Sequence, residues 1–81
     1  PIAGHHVVMR YQDRPGIVAI YARKLGDAGI NIEGLQVAHP DATGRALSVL
    51  TVDAAVPDEL LDQMREAVGA DLFRQIEIVE P

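Results

Sequence analysis

Residues 11–19 read YQDRPGIVA, which sets a phenol, a carboxylate and a guanidinium just ahead of a Pro-Gly pair and an apolar run. The run reads as the opening of a helix, where the first N–H groups have no partner inside the helix and carry its positive end. Those of Gly16, Ile17 and Val18 would seat a carboxylate, as helix starts seat anions. Asp13 beside them would receive an ammonium, and Tyr11 adds a hydroxyl. A carboxylate seat next to an ammonium seat is complementary to the zwitterion of a free α-amino acid. Asn31, which offers both donors and an acceptor, would complete such a site. A plainer account needs no ligand. In it Pro15 presets φ for the first turn, Gly16 permits a tight bend and Asp13 caps the orphan N–H groups. Both accounts stay open on these residues alone.

Other residue types offer less. The metal-ligand candidates are His5, His6 and His39, but adjacent His5 and His6 point to opposite faces of a strand and nothing carboxylate-rich stands near them. A solvated strand end is the expectation, with no metal site. The one serine, Ser48, lies inside a strand-like run without a nucleophile-elbow context. Gly26, Gly29 and Gly34 are too widely spread for a phosphate-cradling turn. Asp58, Glu59, Asp62 and Glu66 fall on the outer face of a predicted helix, where carboxylates serve solubility. No nucleophile, base and oxyanion seat can be assembled, so no catalytic residue is assigned.

The elements that must position these groups follow from periodicity. Residues 5–12 (HHVVMRYQ) read as a first strand. From Ile17 to Ala28 the apolar residues recur at helical spacing, and Gly29 supplies a left-handed end. A second strand runs from Ile30 to Val37, with a bulge expected at Glu33-Gly34. The turn cluster His39 to Gly44 leads into a third strand over 45–53, which should pair antiparallel with the second. Pro57 is placed at a first helical position, and Leu60, Leu61, Met64 and Val68 mark the apolar face of a second helix ending near Gly69. Residues 71–79 form a fourth strand. The order βαββαβ predicts an α+β, ferredoxin-like sandwich: a four-stranded antiparallel sheet, first and third strands central, two helices on one face.

Bulk properties narrow the partners. A chain of 81 residues is one domain and buries at most roughly 60% of its unfolded surface, so a partner subunit is expected. The apolar edge strand, with Ile32, Leu35 and Val37, invites pairing with a second copy. Hydrophobic residues at 48% exclude disorder, and no apolar run approaches the ~20 residues of a membrane span. The net charge of −5 and scattered basic residues oppose a nucleic-acid partner. The absence of cysteine fits a reducing, cytoplasmic setting. A chain opening on Pro1 is expected to be a piece of a longer protein.

Asp13-Arg14-Pro15-Gly16, the helix IVAIYARKLGDAG and Ile30-Asn31-Ile32 resemble the ACT domain, a small amino-acid-binding regulatory module of βαββαβ topology. The similarity covers essentially all of residues 1–81. Within that superfamily the chain looks most like the carboxy-terminal domains of D-3-phosphoglycerate dehydrogenases, through Y-x-D-R-P-G, G-I-N-I, the Leu47–Asp53 strand and V-P-D-E-L-L. The resemblance implies a non-catalytic domain that binds L-serine and restrains an NAD-dependent parent enzyme by feedback, with no cofactor of its own. It places effector contacts on Tyr11, Asp13 and Asn31, with backbone from Pro15, Gly16, Ile17 and Val18 lining the pocket. It also implies a homodimer through the second strand and first helix, the ligand lying between the strand-one loop of one copy and Asn31 of the other. Some members carry His and Asn at the Tyr11 and Asp13 positions. An anionic Asp13 draws an ammonium more strongly but offers no side-chain donor. The D-R-P-G-I-V-A opening resembles ACT domains of formyltetrahydrofolate hydrolases and of branched-chain amino-acid regulators too. Another ligand, or a dimerisation module with none, therefore stays open.

Overall fold

The computed structural model describes residues 4–38 and 40–79. Its elements follow the expected order: β1 (Gly4–Gln12), α1 (Ile17–Asp27), β2 (Ile32–Ala38), β3 (Arg45–Val52), α2 (Asp58–Val68) and β4 (Leu72–Ile78). The strands form one sheet in the order β2-β3-β1-β4, each neighbouring pair antiparallel, so β1 and β3 are central. The expected bulge is present as a register shift between Ile32 and Gly34.

Alternation in the central strands sorts their side chains. Val7, Met9 and Tyr11 of β1 and Ala46, Ser48, Leu50 and Val52 of β3 turn to one face. There they are buried with Ile17, Tyr21 and Leu25 of α1 and Met64 and Val68 of α2. Fully burying an apolar side chain of this size contributes about 1.5–3 kcal/mol, so this layer fixes where both helices lie. The segment leading into α2 is held to β4 by one side chain. The Val56 N–H donates to Gln75 Oε1 at 2.7 Å, and Gln75 Nε2 donates to the Val56 carbonyl at 3.0 Å.

Most element ends fall within a residue or two of expectation, and two of the differences have local reasons. Ile30 is not in β2, because its N–H donates to the Leu25 carbonyl at 2.9 Å and closes α1, while its side chain joins the core. Pro57 is the N-cap of α2 with ψ 147°, one residue ahead of the first helical position, and its carbonyl accepts from Leu61 N–H at 3.0 Å.

Gly16 precedes α1 at φ 92°, a left-handed conformation, although an added Cβ would meet nothing within 4 Å. Gly26 lies inside α1 with ordinary φ and equally open surroundings. The two glycines should therefore answer oppositely to alanine. Gly16→Ala should lose about 1–2 kcal/mol to backbone strain, and Gly26→Ala should gain about 0.5–1 kcal/mol of helix propensity. Urea unfolding of both variants checks this.

Two exposed aspartates make the fold acid-sensitive. Asp41 closes the β2–β3 turn: the Thr43 hydroxyl donates to its carboxylate, as do the N–H groups of Thr43 at 2.8 Å and Arg45 at 3.1 Å. These bonds, the hydroxyl first, hold its pKa below the ordinary value. Asp71 is clamped by Arg10 Nε at 2.9 Å and Arg45 Nε at 3.0 Å, and the Arg10 bond is the main cause of its lowered pKa. A lowered folded-state pKa means the unfolded chain takes up protons first. The stabilisation is thus complete above the unfolded carboxylate value of about 3.9 and lost as pH falls through the folded one. Thermal unfolding should show the melting point falling below about pH 4, with a smaller fall in Asp41→Asn.

Candidate functional site

The D-R-P-G segment bridges β1 and α1 and is tied down at two points, with a third just ahead of it at Gln12. The Asp13 N–H donates to the Gly44 carbonyl at 2.9 Å, and Gln12 Nε2 donates to the Thr43 carbonyl at 3.3 Å. Arg14 Nη1 reaches the Val68 carbonyl at the end of α2, at 3.4 Å. The loop is thereby fastened to the β2–β3 turn on one side and to α2 on the other.

The start of α1 is left open. Its N-cap is Gly16, no side chain among the described residues caps it, and no acid stands in its first turn. The first intrahelical bond runs from Ile20 N–H to the Gly16 carbonyl at 3.1 Å, so the N–H groups of Ile17, Val18 and Ala19 have no helical partner. The capping account of Asp13 is therefore not realised. Its carboxylate is exposed and unpaired among the described residues, beside a positive helix end. Pro15, Gly16 and Val18 are exposed as well, whereas the Ile17 side chain is in the core and leaves only its backbone to the loop.

Tyr11 turns inward. It is 2% exposed, and its hydroxyl shares a 2.6 Å hydrogen bond with Ser48 Oγ across the two central strands. The hydroxyl of fully buried Tyr21 lies close to this pair without a bonding geometry and has no partner among the described residues. Burial pushes its pKa up to about 12, with Ser48 opposing and Tyr11 adding to the rise. Three hydroxyls thus share the core beneath α1, and one is unsatisfied.

Asn31 is exposed at the other end of α1. That helix has 11 residues, a length of about 16 Å at 1.5 Å per residue. Its backbone is fixed by Asp53: the Asn31 N–H donates to Asp53 Oδ1 at 2.9 Å, and the Asp53 N–H donates to the Asn31 carbonyl at 3.0 Å. Its side-chain amide is unpaired among the described residues. One copy of the chain therefore brings together Asp13 and the Pro15–Val18 backbone, but not Asn31, and the Tyr11 hydroxyl, expected to face a ligand, is instead held in the core by Ser48. Val18 of α1 is 41% exposed, and Leu35 and Val37 of edge strand β2 are 39% and 47% exposed.

The remaining candidates are apart from this region. His5 pairs with Val52 on the helix-bearing face, and His6, on the opposite face, has Nδ1 at 3.1 Å from Thr51 Oγ1. His39 lies outside the described residues, among which no three His, Cys, Asp or Glu side chains cluster as metal ligands do. Asp58, Glu59, Asp62 and Glu66 are all exposed on α2, as expected. Among the described residues no helix is long and apolar enough to cross a membrane.

The ACT domain family matches residues 5–69, from the start of β1 to the end of α2. The chain belongs to the ACT domain family. The match takes in the D-R-P-G loop, the open start of α1 and Asn31, and stops short of β4. Among characterised proteins this ACT domain is similar to D-3-phosphoglycerate dehydrogenase of Methanocaldococcus jannaschii, 34% identical over 59 residues, and of Mycobacterium tuberculosis, 35% identical over 68. Those alignments cover 73% and 83% of the chain but only 11% and 13% of the two enzymes' lengths. Among solved structures it superposes on a formyltetrahydrofolate deformylase from Pseudomonas syringae with a TM-score of 0.75 at 20% identity, over 90% of this chain and 26% of that one. An ACT domain protein from Streptococcus pneumoniae gives 0.67 at 14%, over 90% and 86%. At such identities the superpositions speak for the fold.

Periodicity does not point to Ser48 and Tyr21 as neighbours of the Tyr11 hydroxyl, or to Asp53 as the partner of the Asn31 backbone. The available signal for Ser48 was a hydroxyl in an otherwise apolar inward row, Ala46, Leu50 and Val52.

Proposed function

We propose that this ACT domain is the L-serine-sensing regulatory domain of a cytoplasmic, NAD-dependent D-3-phosphoglycerate dehydrogenase, and that it has no catalytic role itself. The observation that carries the reading is the pair at one fixed loop that the described residues leave unused: helix N–H groups with no side-chain cap and the Asp13 carboxylate with no partner. Identity of 32–35% to D-3-phosphoglycerate dehydrogenases supports that choice of parent. NAD would be held elsewhere in that parent, since the β1–α1 turn here carries a single glycine, Gly16, and no phosphate-cradling series.

In this reading the effector carboxylate accepts from the Ile17 and Val18 N–H groups and its ammonium meets Asp13. Tyr11, its hydroxyl held by Ser48, forms the floor beneath the loop. Asn31 comes from a second copy, because in its own copy it stands a helix length away. Pairing along β2, with Val18, Leu35 and Val37 covered, brings the two half-sites together. An effector shared by two copies favours the docked arrangement only by its differential affinity, and a coupling of roughly 1–3 kcal/mol is ordinary. A ligand as small as serine, partly exposed, should bind with a dissociation constant between about 1 μM and about 1 mM. Calorimetric titration of the dimer with L-serine, beside glycine, L-isoleucine and D-serine, tests this. Heat from L-serine alone is the expected result, and no response at millimolar L-serine from a verified dimer overturns it.

A further inference from the structure

The turn between β2 and β3 is built around one carboxylate. The bonds to Asp41 from the Thr43 hydroxyl, the Thr43 N–H and the Arg45 N–H all fall on a single oxygen, Oδ1, so the side chain grips the backbone on both sides of Gly44. The main chain closes around the same residue. The Gly44 N–H donates to the Asp41 carbonyl at 2.9 Å, and the Asp41 N–H donates to the Arg45 carbonyl at 2.9 Å. Gly44 is held in this grip at φ 80°, and a Cβ there would stand 2.5 Å from Gln12 Nε2. Its carbonyl is the acceptor of the Asp13 N–H. Arg45 fastens the turn to the sheet, with Nη1 donating to Thr43 Oγ1 at 3.2 Å and Nε 3.0 Å from Asp71.

We propose that Asp41 is a positioning residue for the effector seat: it holds the Gly44 carbonyl where the Asp13 N–H bonds to it, and so sets where the Asp13 carboxylate meets an ammonium. The inference deepens the regulatory reading above and rests on it. The two halves of the seat have different supports. The N–H groups at the start of α1 are placed by the core through Ile17, which is 2% exposed, and need nothing from the turn. Asp13 is exposed, its side chain has no partner among the described residues, and its backbone N–H is bonded to the Gly44 carbonyl. Asp41 therefore acts on the ammonium half of the seat and leaves the carboxylate half alone. It touches no ligand, and its influence passes entirely through the turn backbone.

Amide hydrogen exchange and L-serine affinity are read by NMR on the dimer, well below the melting point of each variant. Asp41→Ala should speed exchange of the Asp13 N–H and weaken L-serine binding about three- to tenfold, the affinity lost when a seat is ordered only on binding. Asp41→Asn keeps an oxygen for the same three donors and should leave both near their wild-type values. Gly44→Ala reaches the same bond independently and should act like Asp41→Ala, since its Cβ must displace Gln12 or carry the backbone away from φ 80°. In an Asp13→Ala background, Asp41→Ala should change the affinity by less than about twofold, because the group it positions is already gone. A turn that only stabilised the fold would weaken binding equally in both backgrounds, and that result overturns the proposal. Faster exchange at residue 13 without an L-serine response from any of the proteins refutes the serine reading and leaves the hold of Asp41 on Asp13 standing. L-serine binding with unchanged exchange at residue 13 in Asp41→Ala does the reverse.

Discussion

Asp13→Ala is expected to weaken L-serine binding by about ten- to a hundredfold while leaving the melting point of the domain nearly unchanged. The loss follows from removing one ionic hydrogen bond to an ammonium, worth about 1.5–3 kcal/mol, at about 1.4 kcal/mol per tenfold. The unchanged stability follows from what Asp13 does not do. It caps no helix, its carboxylate is exposed and unpaired among the described residues, and the loop is held by its backbone N–H, which alanine keeps. Exposed substitutions of this kind stay within about 0.5 kcal/mol. Asp13→Asn separates charge from shape and should lose most of the affinity too. Calorimetry for binding and calorimetric melting for stability are the measurements, and an equal loss in both would return Asp13 to a structural role.

The second large effect is expected in the core. Ser48→Ala removes the one bonded partner of the Tyr11 hydroxyl, leaving that group buried and unsatisfied at a cost of about 1–3 kcal/mol. In a domain of this size each kcal/mol lowers the melting point by about 4–8 °C. Tyr21→Phe should do the opposite of what loss of a buried hydroxyl usually does: it removes a group that has no partner among the described residues, so stability should hold or rise. Combining Tyr11→Phe with Ser48→Ala should cost less than Ser48→Ala alone, since both ends of the bond go together. Thermal unfolding of the four proteins checks the ranking. A destabilised Tyr21→Phe would mean that Tyr21 has found a partner in solution.

Much of the fold is legible in the sequence because its signals are local. Period-two alternation in β1 and β3, helical spacing from Ile17, and Gly29 and Gly69 after the helices carry element order and type, and the order carries the topology. Ile30 and Pro57 depart by a residue or two because helix ends are decided by individual hydrogen bonds that periodicity does not encode. The candidate site is legible in part. The open start of α1 follows from Pro15-Gly16 ahead of an apolar run. That Asp13 leaves it uncapped depends on Gly44, thirty-one positions away, which engages the Asp13 backbone. The inward turn of Tyr11 depends on Ser48, another contact that only the assembled sheet makes.

The ties that hold the D-R-P-G loop and the Gln12 just ahead of it, to Gly44, Val68 and Thr43, bear on how a ligand's binding energy is spent. A loop that must be ordered by its ligand absorbs part of each new contact as lost chain entropy. Here the frame is already fixed before anything arrives, so little is consumed in shaping the seat. What the contacts yield is left over for moving larger bodies, the preorganisation that a molecule of a few heavy atoms needs if it is to alter the arrangement of whole subunits.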